Sequence, residues 1–299
     1  MPHAIHRIVV CLDGSPQGNA LLRQAAALAR RLNAELVGLR SLHRPLPSPS
    51  ETFARGTGAI HEVLDHLAAR EEVLGRTARE AFAALVSPLG VRAVFRAVWD
   101  DDPQAAGQAT DADLVVLGHP RLPALPEALA ADRLLLGGAR PVLLVPETWD
   151  REIGRRVLVA WNGSPAARQA IDQAAPLIAP DAAVTVLVVD GAASPDSTAE
   201  IADRLGAAVM TLDSRGDGVA EAITAAANEA SADLVVLGGY SRSPSLERWF
   251  GGVTRTLLAG AAHPLLLSHV PAAAHRTVSG GERGMSSPPD QTASTAARS

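Results

Sequence analysis

Two short turns in this chain combine glycine with small polar residues directly after an apolar segment. Asp13-Gly14-Ser15 follows Arg7–Leu12, and Asn162-Gly163-Ser164 follows Val157–Trp161. A proline comes next in each case and opens a helical pattern of apolar residues, so both turns precede a predicted helix N-terminus. Helix N-terminal amides and the helix dipole attract anions. The turns therefore predict phosphate contacts, with plain helix caps as the simpler alternative.

A second group of small residues follows the apolar segment Leu234–Leu237. It contains Gly238, Ser241, Arg242, Gly251, Gly252, Thr254 and Arg255. Glycine lets backbone amides approach phosphate oxygens, and hydroxyl and guanidinium groups add donors. This loop is the stronger candidate for a phosphate site. Turn geometry alone, with solvated arginines, is the alternative interpretation.

The residue types argue against covalent and metal chemistry. All 27 basic residues are arginine, which excludes Walker-type and Schiff-base lysine mechanisms. His61 and Asp65 share one predicted helical face and would suit zinc if other ligands joined them, but a solvated face is the preferred interpretation. The single cysteine, Cys11, lies in an apolar strand pattern and is predicted to belong to the core. We expect neither a catalytic residue nor a resident metal.

Three phrases occur twice in the same order, which indicates a tandem duplication. Arg7–Pro16 is matched by Arg156–Pro165, Ala112–Gly118 is identical to Ala232–Gly238, and Ala139–Leu144 is matched by Ala262–Leu267. The spacing far exceeds the period of about 20–50 residues that is typical of solenoid repeats. Each copy is long enough to form its own core. We predict domains at residues 1–147 and 154–270, an insertion within residues 44–84, and a disordered tail at residues 271–299.

Apolar runs alternate with helical stripes in both copies. In the first copy we predict strands at Arg7–Leu12, Glu35–Leu39, Val91–Val98, Leu114–Leu117 and Val142–Val145, and in the second copy at Val157–Trp161, Val184–Val189, Ala207–Leu212, Leu234–Leu237 and Leu265–Ser268. The helical stripes include Leu21, Ala25, Leu28 and Leu32, then Ala167, Ile171, Ala174 and Ile178, and a longer helix is predicted at Ile60–Leu85. The pattern predicts an α/β fold of two tandem, doubly wound, five-stranded parallel sheets of Rossmann type.

The composition narrows the functional classes. A net charge of −5 and 3% aromatic residues argue against a nucleic-acid partner. The sequence contains no apolar run of about 20 residues and no signal-peptide pattern at its N-terminus, so we expect a cytoplasmic protein without a membrane partner.

With these turns and repeats, the chain resembles the universal stress protein family over nearly all of residues 5–270. Many members have an Asp-Gly-Ser turn after strand one, and after strand four a glycine, two residues, a second glycine, nine residues, a third glycine and then Ser or Thr. The second copy matches this spacing with Gly238, Ser241, Gly251 and Gly252, where Ser241 and Gly252 depart from the family residues and Asn162 replaces the aspartate. The first copy keeps Asp13 but has lost the glycine loop.

The resemblance implies that the second copy binds an adenine nucleotide, ATP or AMP, and that magnesium is bound only together with that nucleotide. The implied contacts are Asn162, Gly163, Ser164, Val189, Gly238, Ser241, Arg242, Gly251, Gly252 and Thr254; weaker candidates in the first copy are Asp13, Gly14, Ser15, Gly118 and Arg121. Family homodimers imply that the two domains form an intramolecular pseudo-dimer, and a homodimer of whole chains is also possible. The implied role is a stress-response module with at most slow ATP hydrolysis.

Two alternatives stay open. The chain is a scaffold without nucleotide if both sites are vestigial, as the departures at Ser241 and Gly252 would suggest. An enzyme related to the ATP pyrophosphatases is less favoured, because Asp13-Gly-Ser-Pro16 is not the Ser-Gly-Gly-x-Asp-Ser loop of those enzymes.

Overall fold

The computed structural model describes residues 4–12, 16–42, 57–99, 111–118, 140–214, 218–238, 256–257 and 262–268. The first half contains strands β1 (Arg7–Cys11), β2 (Glu35–Leu42), β3 (Ala93–Trp99), β4 (Leu114–Gly118) and β5 (Val142–Val145), with helices α1 (Pro16–Leu32) and α2 (Thr57–Val86). The second half contains β6 (Arg156–Ala160), β7 (Ala183–Val189), β8 (Ala208–Leu212), β9 (Leu234–Gly238) and β10 (Leu265–Ser268), with α3 (Pro165–Ala174), α4 (Pro195–Leu205) and α5 (Val219–Glu229).

Each half forms a five-stranded parallel sheet, as the α/β pattern predicts. The order across the whole sheet is β3-β2-β1-β4-β5-β10-β9-β6-β7-β8. All pairs are parallel except β5 and β10, which run antiparallel with Leu266 opposite Leu143. The two sheets therefore join edge to edge into one ten-stranded sheet, a connection that local sequence patterns do not indicate.

Alternating strand residues supply two hydrophobic cores, one on each face of the sheet. Ile8 and Val10 of β1 belong to the first core, and Val9 between them belongs to the second. Because both faces are covered, the central strands are apolar at most positions, as is usual for parallel strands, and the exceptions lie at strand ends. Helices α1 and α3 contribute Leu22 and Ile171 to the first core, and α5 contributes Ile223 to the second.

A few element boundaries differ from the sequence expectation. The stripe predicted to continue through Ile178 ends with α3 at Ala174, and a short 3-10 turn follows. Pro176 explains the end of the helix, because proline lacks the amide hydrogen that an α-helix needs. Leu177 is fully buried in place of the half-buried Ile178. Helix α4 was not predicted, although Ser194-Pro195 is the same start signal as Ser164-Pro165.

The heptapeptide that occurs as Ala112–Gly118 and again as Ala232–Gly238 contains an aspartate with the same role in both halves. Asp233 accepts hydrogen bonds from the amides of Gly154, Arg155 and Arg156 at 2.7 to 3.0 Å. Asp113 accepts from His6 at 2.8 Å and from Arg7 at 3.0 Å. Each carboxylate therefore holds the segment that leads into the first strand of its half. This contact lies at the amino ends of the strands, whereas the predicted phosphate turns follow the carboxyl ends.

The segment between the halves is held by contacts from both sides. Arg31 of α1 donates to the carbonyl oxygens of Ile153 and Leu177, each at 2.7 Å. Gly154 has φ +97°, and a Cβ there would lie 1.9 Å from the Leu177 oxygen. Only glycine fits this close approach. The predicted boundary between the two domains falls in this segment and stays a prediction.

The predicted tail at residues 271–299 lies outside the described residues. The alternation of strands and helices also predicts a helix before β5 and another before β10, and of these segments the structure describes only a helical Thr256–Leu257. No helix within the described part of the chain is long and apolar enough to cross a membrane.

Candidate functional site

The second predicted turn caps helix α3. The Ser164 hydroxyl accepts a hydrogen bond from the Ala167 amide at 3.1 Å, and Pro165 occupies the first helical turn. Asn162 Oδ1 accepts from the Ser164 amide, also at 3.1 Å. The cap interpretation is therefore correct for Ser164. Because Oδ1 of Asn162 faces the turn, its Nδ2 amide remains as a donor on an exposed residue next to the positive end of the helix.

The strand order places this turn beside Gly238. From β6 the chain continues to β7 and β8 on one side, but the next strand, β9, lies on the other side of β6. The direction in which successive strands are added therefore reverses between β6 and β9. Ligands of open α/β sheets bind beyond the strand ends at such a switch point. A Cβ on Gly238 would lie 2.5 Å from the Ala167 nitrogen, which means that the first turn of α3 rests directly on the end of β9. Gly238 is needed for this close packing whether or not a ligand binds.

The other wall of the turn is the segment after β7. Gly163 has φ +73°, and a Cβ there would contact the Ala193 Cβ at 3.8 Å. Val189, the last residue of β7, is buried with 6% exposure. Val189 thus borders the same end of the sheet as the α3 turn with most of its side chain in the core, and its predicted nucleotide contact stays a prediction.

Asp190 was not among the predicted residues. It follows β7 directly and adopts φ 52°, a left-handed conformation that is uncommon outside glycine. Its Oδ1 accepts from the Ser214 amide at 2.7 Å, and this hydrogen bond lowers the pKa of the carboxyl group. An acidic residue after the second strand is a usual ribose contact in dinucleotide-binding folds. The sequence could have indicated this residue, because Asp190-Gly191 directly follows the predicted strand Val184–Val189.

Two ion pairs fix α3 against α4. Arg168 contacts Glu200 at 2.9 Å, and Arg204 contacts Asp172 at 2.9 Å. The hydrogen bond from Arg168 lowers the pKa of the Glu200 carboxyl group. Because the four side chains are well exposed, these pairs orient the helices more than they stabilise them.

The structure describes part of the corresponding region in the first half. Gly118 ends β4 and is exposed, and among the described residues a Cβ there would meet only Leu21 Cδ2, at 3.9 Å. This is ordinary van der Waals contact, so no described residue requires glycine at this position. Asp13, Gly14, Ser15 and Arg121 lie outside the described residues.

The remaining predicted contacts of the glycine loop, which are Ser241, Arg242, Gly251, Gly252 and Thr254, also lie outside the described residues and stay predictions. Within the described ranges, no group of three or more His, Cys, Asp or Glu side chains is arranged to hold a metal ion.

Comparisons with known proteins relate the first half to a protein family and the whole chain to known structures. Residues 4–146 match the model of the Universal stress protein family. A universal stress protein from Archaeoglobus fulgidus DSM 4304 superposes with a TM-score of 0.66 at 15% identity and covers 88% of this chain and 97% of its own. A protein of unknown function from Pseudomonas aeruginosa PAO1 superposes with a TM-score of 0.56 at 18% identity, covering 89% of this chain and 92% of its own. No curated protein matches the chain. Residues 4–146 therefore match the universal stress protein family, and the chain as a whole shares its fold with a solved universal stress protein.

Proposed function

We propose that the second half binds an adenine nucleotide, ATP or AMP, and that the chain acts as a nucleotide-responsive stress module. The observation that carries the proposal is the meeting of the Asn162–Ser164 turn with Gly238 at the switch point between β6 and β9. A helix N-terminus, an outward amide donor and a strand end without a side chain converge there. Such a surface favours the phosphate end of a nucleotide.

The residues at the turn fit a phosphate better than a metal ion. Asn162 supplies no carboxylate, and its Oδ1 already accepts from the Ser164 amide. Magnesium prefers carboxylate, phosphate and water oxygens. Magnesium is therefore proposed only as a companion of the nucleotide, held through phosphate oxygens and water.

Solved universal stress proteins include one in complex with cAMP and one from Archaeoglobus fulgidus in complex with dAMP. Each matches 48% of this chain with a TM-score of 0.31, so support for the proposal comes from this chain's own residues.

The remaining parts of the proposal concern assembly, location and chemistry. The β5–β10 pairing supports one chain acting as a paired unit of two related domains. We place the protein in the cytoplasm and assign it no dedicated enzymatic reaction, since the sequence has no lysine for a phosphate clamp and the Asp190 carboxylate already accepts a hydrogen bond from the Ser214 amide.

Two measurements test nucleotide binding. Native mass spectrometry of freshly purified protein should show a co-purified adenine nucleotide, and calorimetric titration with ATP and AMP should give a saturable heat. Gly251→Arg should abolish that heat, because a side chain there would block the backbone approach to phosphate. The matched control is Ala128→Arg, because Ala128 aligns with Gly251 when the repeated phrases Ala139–Leu144 and Ala262–Leu267 are superposed. This variant should bind as the wild type does.

The alternative is a scaffold without nucleotide. It is supported by the local hydrogen bonds that already occupy Ser164 Oγ and Asn162 Oδ1. A wild-type protein that shows neither co-purified nucleotide nor heat with ATP or AMP would establish this alternative.

A further inference from the structure

Three residues form one row across adjacent strands at the end of the second half. Ser268 of β10 is in register with Gly238 of β9. Val159 of β6 pairs with Val236, so Trp161, two residues further on, reaches the level of Gly238. The Trp161 amide still donates to the Leu187 carbonyl of β7 at 2.8 Å, which shows that the extended pairing continues to this residue.

The row faces α3. Side chains alternate along a strand, and Val159, Val236 and Leu266 all belong to the core beneath this helix. Trp161, Gly238 and Ser268 lie two residues beyond them and therefore point to the same face. The position of Ala167 over Gly238 confirms this orientation for the middle of the row.

The two outer members of the row have buried polar atoms without a partner. Trp161 and Ser268 are each 2% exposed. Within the part of the chain that the structure describes, neither Trp161 Nε1 nor Ser268 Oγ has a hydrogen-bond partner. Leaving such a group unsatisfied in a protein interior costs about 1–3 kcal/mol. Two such atoms in one row need a physical reason.

The first half shows that the fold does not require these polar atoms. Gly118 pairs with Val145 there, and Val10 pairs with Val116, so the equivalent row is Leu12, Gly118 and Val145. Leu12 and Val145 are buried and wholly apolar. The same positions therefore carry apolar side chains in one half and, in the other half, two donors that have no partner among the described residues.

We propose that Trp161 Nε1 and Ser268 Oγ are ligand-binding donors that engage an oxyanion, namely phosphoryl oxygens of the nucleotide held at the N-terminus of α3. This inference rests on the proposed function and assigns two further contacts to the same site. An indole nitrogen only donates, so its partner must be an acceptor. The dipole of α3 favours negative charge at the same place, and Gly238 is the partly exposed member of the row.

The chemistry also explains why the donors are buried. A hydrogen bond to an anion is stronger in a site of low dielectric constant, provided that the bond is formed. Binding of the ligand would pair both donors and so remove the cost of leaving them unsatisfied. The ligand should therefore stabilise the second half more than its contacts with exposed residues alone would.

The test uses the full-length protein with 15N-labelled tryptophan indoles. The chain has four tryptophans, and Trp161→Phe assigns the Trp161 signal by its loss. On addition of AMP, and separately of inorganic phosphate, the Trp161 Nε1–H resonance should move downfield while the other indole signals change little. This measurement needs no substitution at Ser268, and it reports directly whether Trp161 Nε1–H donates a hydrogen bond to the added AMP or phosphate.

The second arm compares matched substitutions in the two halves. Ser268→Val copies Val145 and should raise the melting temperature of the ligand-free protein while weakening AMP affinity about tenfold, the loss of one hydrogen bond to a charged group. Trp161→Phe should weaken AMP binding to a similar degree. Val145→Ser should lower stability and leave AMP affinity unchanged.

The outcomes separate this inference from the proposed function. If the wild type binds AMP, but the Trp161 indole signal does not move and both substitutions keep the wild-type affinity, the row is not part of the site and only this inference fails. If the wild type binds neither ATP, AMP nor phosphate, the proposed function fails and this inference fails with it.

Discussion

At the residue scale, burial controls the chemistry of the single cysteine. Cys11 ends β1 and packs against the second core beside the strands that surround it. Burial raises the pKa of its thiol to about 12. The thiolate is the reactive form of cysteine, so Cys11 should be inert in the folded protein. The sequence already predicted a core role from the apolar strand around this residue.

Thiol labelling tests this point. At pH 8, a pKa about four units higher leaves roughly one thiol in ten thousand ionised. Iodoacetamide should therefore label Cys11 slowly in the native protein and rapidly in urea, with mass spectrometry as the readout. Rapid labelling without denaturant would show that β1 is open to solvent.

Asp233 is a second residue whose environment determines its behaviour. Burial raises the pKa of this carboxyl group, although the amides of Gly154, Arg156 and Arg155 act in the opposite direction. Because its pKa is higher in the folded state, Asp233 contributes most to stability at pH values below the ordinary pKa of 3.8. This contribution to stability is lost as the pH rises through the raised pKa of the folded state.

Substitution of Asp233 tests both its hydrogen bonds to three amides and its raised pKa. Asp233→Ala should lower the free energy of unfolding by about 2–4 kcal/mol, because three amides lose their acceptor. Asp113→Ala removes the acceptor of two amides and should cost less. In urea unfolding, the stability difference between the wild type and Asp233→Ala should shrink as the pH rises above the ordinary pKa of the carboxyl group. A difference that grows over that range would contradict the raised pKa.

At the scale of elements, the contact between helix α3 and strand β9 distinguishes the second half. The Ser164 cap and Pro165 start the helix, and the end of β9 receives its first turn at Gly238. At the equivalent glycine of the first half, Gly118, the described residues leave space for a Cβ. Close packing against described residues therefore requires glycine at Gly238 and not at Gly118.

Alanine substitutions measure this asymmetry. Gly238→Ala should destabilise the protein by about 1–3 kcal/mol, since a Cβ would overlap the backbone of Ala166 and Ala167. Gly118→Ala should have little effect or stabilise slightly by restricting the unfolded chain. Both values come from urea denaturation followed by circular dichroism. Equal losses at the two positions would mean that α3 moves aside without cost.

At the scale of the whole molecule, main-chain pairing and the side chain of Arg31 are among the contacts that join the two halves, which also share both hydrophobic cores. The β5–β10 pairing makes the sheet continuous, and Arg31 connects α1 to the carbonyl oxygens of Ile153 and Leu177. These two acceptors lie 122 and 146 residues away in sequence. The helices that follow the two candidate turns are therefore linked near their C-terminal ends.

Loss of this link should reduce cooperativity between the halves. Arg31→Ala leaves two carbonyl oxygens without their charged donor and should lower stability by about 2–4 kcal/mol. Scanning calorimetry should then show a broader transition, in which the van't Hoff enthalpy falls below the calorimetric one. Arg30→Ala, an exposed neighbour in the same helical turn, is the control and should unfold as the wild type does.

The sequence by itself determined the duplication, the α/β class and most strands and helix starts, because alternating apolar runs, helical stripes and Ser-Pro signals act over a few residues. It also pointed to the Asn162–Ser164 turn and to Gly238. Only the tertiary structure decided how β5 meets β10, what Asp233 caps, why Gly238 lacks a side chain, and that Trp161 and Ser268 stand in one row. These features depend on strand order and register between distant segments, which local propensity does not encode.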